Sequence, residues 1–220
     1  MSQQDILGLV ISYVYAFGLL GAGELIRVWR KYPLEFTRKV IHIGAGMWVF
    51  GLLALFDHWW AGLIPTASFI LFNYISYRFT IFKAMDTVGS TLGTVYFPAS
   101  VTLLLAILWP RELAYVAVAG VMAMTWGDAF ASIIGRQFGR HRYTVRGHQR
   151  SWEGSVAMFA FSWASVYLSL LYLAPLSGGQ SLLFSLVVAL VATAVEAVSP
   201  WGLDNITVPL LSSGVLLLLT

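Results

Sequence analysis

Residues 113–135 read LAYVAVAGVMAMTWGDAFASIIG, twenty-three residues with a single charge, Asp128. A helix needs about 20 apolar residues to cross a bilayer, and this run supplies them. Working outward, seven further apolar segments lie at approximately 6–23, 40–56, 59–77, 92–109, 155–174, 181–199 and 204–219. The third and the last of the eight carry the weakest span signal. The polar stretches between segments are short. The expectation is an all-α, polytopic integral membrane helix bundle of about eight transmembrane helices, with residues 1–220 forming one membrane-embedded domain.

Composition supports this. The chain is 59% hydrophobic and 10% charged, where a soluble domain has about a quarter of its residues charged. That excludes a soluble enzyme, a secreted disulfide scaffold and a disordered tail. With no cysteine, disulfides, thiolate metal sites and cysteine nucleophiles are excluded as well. The net charge of +3 belongs to membrane topology and implies no nucleic acid. If the N-terminus is outside, the inner loops are 24–39, 78–91, 136–154 and 200–203, and they hold 12 of the 13 basic residues, all except Arg111. This alternation is the positive-inside pattern, so both termini are expected outside, with Trp59, Trp60 and Trp109 at the outer interface. The first apolar run lacks a basic n-region and is expected to be retained as a span.

Charges within spans are costly and need a partner or a purpose. Asp128, Glu153, Glu196 and Asp204 come from separate segments, yet all fall at the inner ends of helices, which points to one site there. Asp128, Ser132, Gly135 and Gly139 are spaced i, i+4, i+7, i+11, a stripe of small and polar residues on one helix face. Such a stripe admits another backbone or a ligand. An aspartate on it suits Mg²⁺, which takes one or two carboxylates plus phosphate oxygens. The alternative is helix packing with a paired aspartate. The following loop, RQFGRHRYTVRGHQRSWEGS, combines five arginines with glycines and Ser151, Glu153, Gly154 and Ser155. Guanidinium groups and a helix start suit phosphate, although any inner loop is basic. In EFTRKVIHIGAG, Arg38 and Lys39 are one turn before His42, a candidate base or phosphate ligand, or else a packing histidine. Glu196 is one turn before Pro200, where its helix is expected to end. Asp204 or Asn205 is placed to cap the next helix, and Pro209 to break or kink it.

Three ordered blocks carry a family resemblance: RKxxH at 38–42, GDAxAxxxGRxxG at 127–139 and RS-x-EGS at 150–155, with LDNITVP at 203–209 as a fourth. They resemble the CTP-dependent polyprenol kinase family, and GTVYFP at 93–98 resembles its phytol-kinase members most. The family usually has Lys where Arg150 stands. The resemblance implies transfer of the γ-phosphoryl of CTP, with Mg²⁺, to the hydroxyl of a membrane lipid alcohol such as phytol or geranylgeraniol. It implies Asp128 as metal ligand, with Glu196 or Asp204 as a second or as an acceptor-orienting group. Arg38, Arg136, Arg140 and Arg150 are implied phosphate contacts, with Ser132, Gly135, Gly139, Ser151, Glu153, Gly154 and Ser155 around the nucleotide. Lys39 and His42 are implied at the reacting groups, and Thr94 and Asn205 on the acceptor side. The expected setting is a bacterial or cyanobacterial plasma or thylakoid membrane, with the site on the cytoplasmic face. Two other classes remain open: a membrane cytidylyltransferase making a CDP-lipid, and a small proton-coupled transporter. The transporter would need inverted repeats and midplane carboxylates, and neither is visible.

Overall fold

The structure, a computed structural model, describes residues 1–30, 33–85 and 91–220. Lys31, and residues 86–90 of the second expected loop, lie outside the described residues. Eight helices run in order: α1 Gln3–Arg30, α2 Leu34–Leu55, α3 Trp59–Phe79, α4 Gly93–Leu108, α5 Ala114–Phe138, α6 Trp152–Leu173, α7 Gly178–Val198 and α8 Asp204–Leu219. Six are long and apolar enough to cross a membrane, all but α3 and α8. The protein is a polytopic helical membrane protein. Large apolar side chains such as Val14, Leu71, Leu190 and Leu218 point outward, as expected where the surrounding solvent is lipid.

α1 overruns its apolar segment at both ends. α1 has 28 residues, roughly 42 Å at 1.5 Å per residue. Its last turns carry Glu24 and Arg27, where Arg27 Nε donates to Glu24 Oε1 at 3.0 Å. Hydropathy stops at a charge, but the helical backbone does not, because an i,i+3 ion pair is compatible with it. The expected basic loop 136–154 also contains structure. β1 Arg142–Val145 pairs antiparallel with β2 His148–Ser151. Arg146 and Gly147 both have positive φ, 49° and 80°, the two-residue turn whose twist suits a hairpin.

α5 is the central helix and touches α2, α4, α6, α7 and α8. Its small residues explain this. A Cβ on Gly127 would strike Ser162 and Met158, and one on Gly120 would strike Ser213 and lie 2.5 Å from the Pro209 carbonyl. The close approach lets hydroxyls bond across: Ser162 Oγ donates to the Ala123 carbonyl at 2.9 Å and Ser213 Oγ to the Val116 carbonyl at 3.0 Å. Gly120→Val is therefore expected to cost about 1–3 kcal/mol. A melt in detergent checks this, with a Tm several degrees below that of the unsubstituted protein.

Pro209 does not break α8, which runs on through it. A proline lacks the N–H that would bond the carbonyl four residues back. That carbonyl, on Asn205, instead accepts from Ser100 Oγ at 3.0 Å. Pro98 in α4 leaves the Thr94 carbonyl in the same position, and Asn73 Nδ2 donates to it at 2.7 Å. Neither Asp204 nor Asn205 is the helix cap. Leu203 takes that place, and the Asp204 carboxylate accepts from the Asn205 N–H at 3.0 Å.

The ends of the bundle differ in character. At one, buried Asp5 accepts from the backbone N–H groups of Asp57 and His58 and from His58 Nδ1, and Trp109 covers Gly62. The charged residues of the candidate site gather at the other.

Candidate active site

α2 runs antiparallel against α5, and three pairs follow from that register. Ser132 Oγ donates to Glu35 Oε1 at 2.9 Å, Lys39 Nζ donates to Asp128 Oδ2 at 2.6 Å, and His42 Nε2 lies 3.3 Å from the Met124 carbonyl. The approach is possible because Gly46 of α2 lies on Thr125, where a Cβ would clash. His42 Nε2 is also 3.7 Å from Asp128 Oδ2. A carbonyl only accepts, so Nε2 carries the hydrogen and Nδ1 is the basic nitrogen of the neutral ring.

A second group lies opposite. Arg150, on β2, pairs with Glu196 at the end of α7, donates from Nη2 to the Ser199 carbonyl at 2.9 Å, and lies 4.0 Å from Asp204 Oδ2. Its Nε is buried without a partner among the described residues, leaving one guanidinium donor to be satisfied. The hairpin presents this arginine, and Ser151 ends the hairpin by capping α6, its Oγ accepting from the Gly154 N–H at 3.1 Å.

Between the groups lies a polar cleft of ≈ 720 Å³, within the size range of small-molecule sites. Five cationic side chains line it (Arg38, Lys39, Arg136, Arg142, Arg150) with four carboxylates, Glu35, Asp128, Glu196 and Asp204. A narrower, mostly apolar groove runs from it among α1, α2, α3 and α4. Arg38, Lys39, Asp128 and Asn205 line both. The polar and apolar spaces therefore meet at the Lys39–Asp128 pair.

The structure gathers most of the expected residues here. Ser132, Gly135, Arg136, Arg150, Ser151, Gly154, Ser155, Glu196 and Asp204 line the cleft with the four shared residues' polar sides. His42 and Thr94 line the groove. Gly139, Arg140 and Glu153 line neither. Glu153 instead accepts from His141 Nδ1 at 2.7 Å, clamping the hairpin base to α6. The small-residue stripe divides. Asp128, Ser132 and Gly135 line the cleft, Gly135 also packing on α6, where a Cβ would lie 3.4 Å from Gly154 Cα, whereas Gly139 packs on Ser151 outside it. Glu35, Thr91, Gln149 and Gly202 in the cleft and Asn73 in the groove are not among the expected residues, and Arg142 was expected only as one of the loop's five arginines. Glu35 carried a signal, being one turn before Arg38 and Lys39 on the same face.

The oxygen donors fit a hard cation. Among the described residues no three acidic or histidine groups converge tightly enough to form a metal cage. Mg²⁺ does not require one, since it takes one or two carboxylates and completes its shell with water and phosphate oxygens.

The helical membrane bundle thus carries a charged cleft that opens onto a mostly apolar groove. No family model matches the chain. Over 206 residues it is 34% identical to the phytol kinase of Synechocystis sp., covering 92% of this chain and 86% of that protein. It is 26% identical to a probable chloroplastic phytol kinase of Triticum aestivum over 89% of this chain and 71% of that one. With the chloroplastic farnesol kinase of Arabidopsis thaliana it shares 26% identity over 95% and 73%. The chain belongs to the polyprenol kinase family, the one that holds the phytol kinases.

Proposed function

We propose that this protein transfers the γ-phosphoryl group of CTP to the primary hydroxyl of a long isoprenoid alcohol, phytol or geranylgeraniol. The observation that carries the reading is the junction of polar cleft and apolar groove at Lys39 and Asp128. CTP is insoluble in lipid and the alcohol in water, so the reaction needs such a junction. Relatives named for phytol and farnesol support the acceptor class. The basic residues at the cleft support a cytoplasmic site by the positive-inside rule, with both termini outside.

Phosphoryl transfer needs positioning and charge neutralisation more than covalent help. Arg38, Arg136, Arg142 and Arg150, which line the cleft, neutralise the triphosphate. Asp128 would hold Mg²⁺, with Glu196 or Asp204 for a second ion. The metal would neutralise charge developing between the β- and γ-phosphates. The acceptor hydroxyl lies at the level of the Lys39–Asp128 pair, beside His42, whose Nδ1 takes its proton. The new bond joins the acceptor oxygen to Pγ, the bond from Pγ to the bridging oxygen breaks, and CDP leaves. Lys39 holds Asp128 until phosphate oxygens compete for the ammonium.

Purified protein with γ-labelled CTP, Mg²⁺ and phytol, geranylgeraniol, a long polyprenol or diacylglycerol tests the acceptor. Label is expected in the phytol or geranylgeraniol fraction. Label confined to diacylglycerol, or in no lipid, would overturn the reading.

A further inference from the structure

The apolar groove follows one face of α2, which bears on which alcohols it takes, an inference that rests on the function proposed above. Its α2 wall is a ladder of one face: Lys39, His42, Ala45, Val49 and Leu52. Ala45 is exposed to the groove, while Val49 and Leu52 are only 2% and 1% exposed and close its far end. Aromatic contacts brace the helices on both flanks. Between α1 and α2, Tyr15 stacks on Trp48 with ring centroids 4.3 Å apart, and Trp48 Nε1 donates to Ser12 Oγ at 3.1 Å. Between α1 and α3, Tyr13 and Phe17 pack on Phe69, and the Tyr13 hydroxyl bonds Ser68 Oγ at 2.9 Å. A chain entering at Asp128 can therefore lie along α2. The groove's free volume is ≈ 160 Å³.

We infer that this face of α2 is a ruler for the isoprenoid chain, with Ala45, Val49 and Leu52 as successive stops. From Lys39 the three lie 6, 10 and 13 residues along the helix, roughly 9, 15 and 20 Å. One extended isoprene unit adds four carbon–carbon bonds, about 5 Å in a zigzag of ~1.5 Å bonds. The stops therefore correspond to about two, three and four units. The floor at Leu52 selects a twenty-carbon alcohol.

The test compares geraniol, farnesol, geranylgeraniol and geranylfarnesol, of two to five isoprene units, as competing acceptors with the full-length protein. Ligand-induced shifts in Tm for the same alcohols give a readout that needs no turnover. Val49→Phe is expected to lower the preference for geranylgeraniol over farnesol at least tenfold. Ala45→Phe is expected to lower the preference for farnesol over geraniol by a similar factor. Leu52→Ala, which adds no bulk and guards against a misfolded larger variant, is expected to raise the relative rate with geranylfarnesol. Unchanged length preferences in folded variants would overturn the ruler and point to a chain that leaves the groove sideways. Length-dependent Tm shifts without phosphorylation of any alcohol would keep the ruler and overturn the kinase reading.

Discussion

Asp128→Asn is expected to abolish turnover, lowering kcat by at least about 10²–10³-fold, the range seen when one well-placed electrostatic group is removed from an active site. Asn keeps the size of the side chain and an oxygen for Lys39, which now donates to the carboxylate at 2.6 Å. Membrane insertion should therefore change little, while Tm falls by several degrees because Lys39 loses its counter-charge. What is lost is the negative charge at the meeting point of cleft and groove. Asp128→Glu keeps the charge but adds a methylene between α2 and α5. It is expected to be nearly as damaging, because a misplacement of about 1 Å costs on the order of 10²-fold. Titrating Mg²⁺ against turnover adds a second readout, with the concentration for half-maximal rate rising in both variants. Turnover of Asp128→Asn within a few-fold of the unsubstituted protein would remove this residue from the reaction.

The second large effect is at Arg150. Glu196 is 3% exposed and pairs with this arginine, with Asp204 4.0 Å away on the other side. Arg150→Met leaves two acidic groups facing no guanidinium, and breaking a buried pair in this way costs about 3–5 kcal/mol. The variant is expected to melt well below the unsubstituted protein and to lose nucleotide binding. Adding Glu196→Gln removes one of the stranded charges, so the double variant should recover much of the stability and none of the binding. Arg150→Lys separates charge from shape. A point charge suffices to hold Glu196, and the family usually carries lysine here, so the fold should hold while the forked contact is lost. Tm and equilibrium CTP binding, measured on all three, check the set. Equal loss of stability in the single and double variants would show that Glu196 is not the stranded group.

The sequence made the spans and half of the site readable, for physical reasons that can be named. Hydropathy and the alternation of basic residues report on lipid and water directly, so all eight helices were visible. Asp128 and Lys39 stood out because a charge in or beside an apolar run needs a reason to be there. Glu35 did not stand out, because its role depends on the register of α2 against α5, which Gly46 permits by lying on Thr125. Asn73 was invisible for a related reason: its partner is the carbonyl that Pro98 leaves without an N–H. The hairpin was hidden in a run of arginines that hydropathy reads only as a loop. Glu153 misled in the opposite direction. It belongs to a motif block, yet its carboxylate holds His141 outside the cleft.

The central claim is that the terminal phosphoryl group of the nucleotide, and not its nucleotidyl group, moves to the lipid. CTP labelled separately at the α- and γ-phosphates, incubated with the protein, Mg²⁺ and geranylgeraniol, decides this in one chromatogram. γ-Label is expected in a lipid monophosphate and α-label in CDP. Label from the α-position in the lipid, with pyrophosphate released, would contradict it and make the protein a cytidylyltransferase.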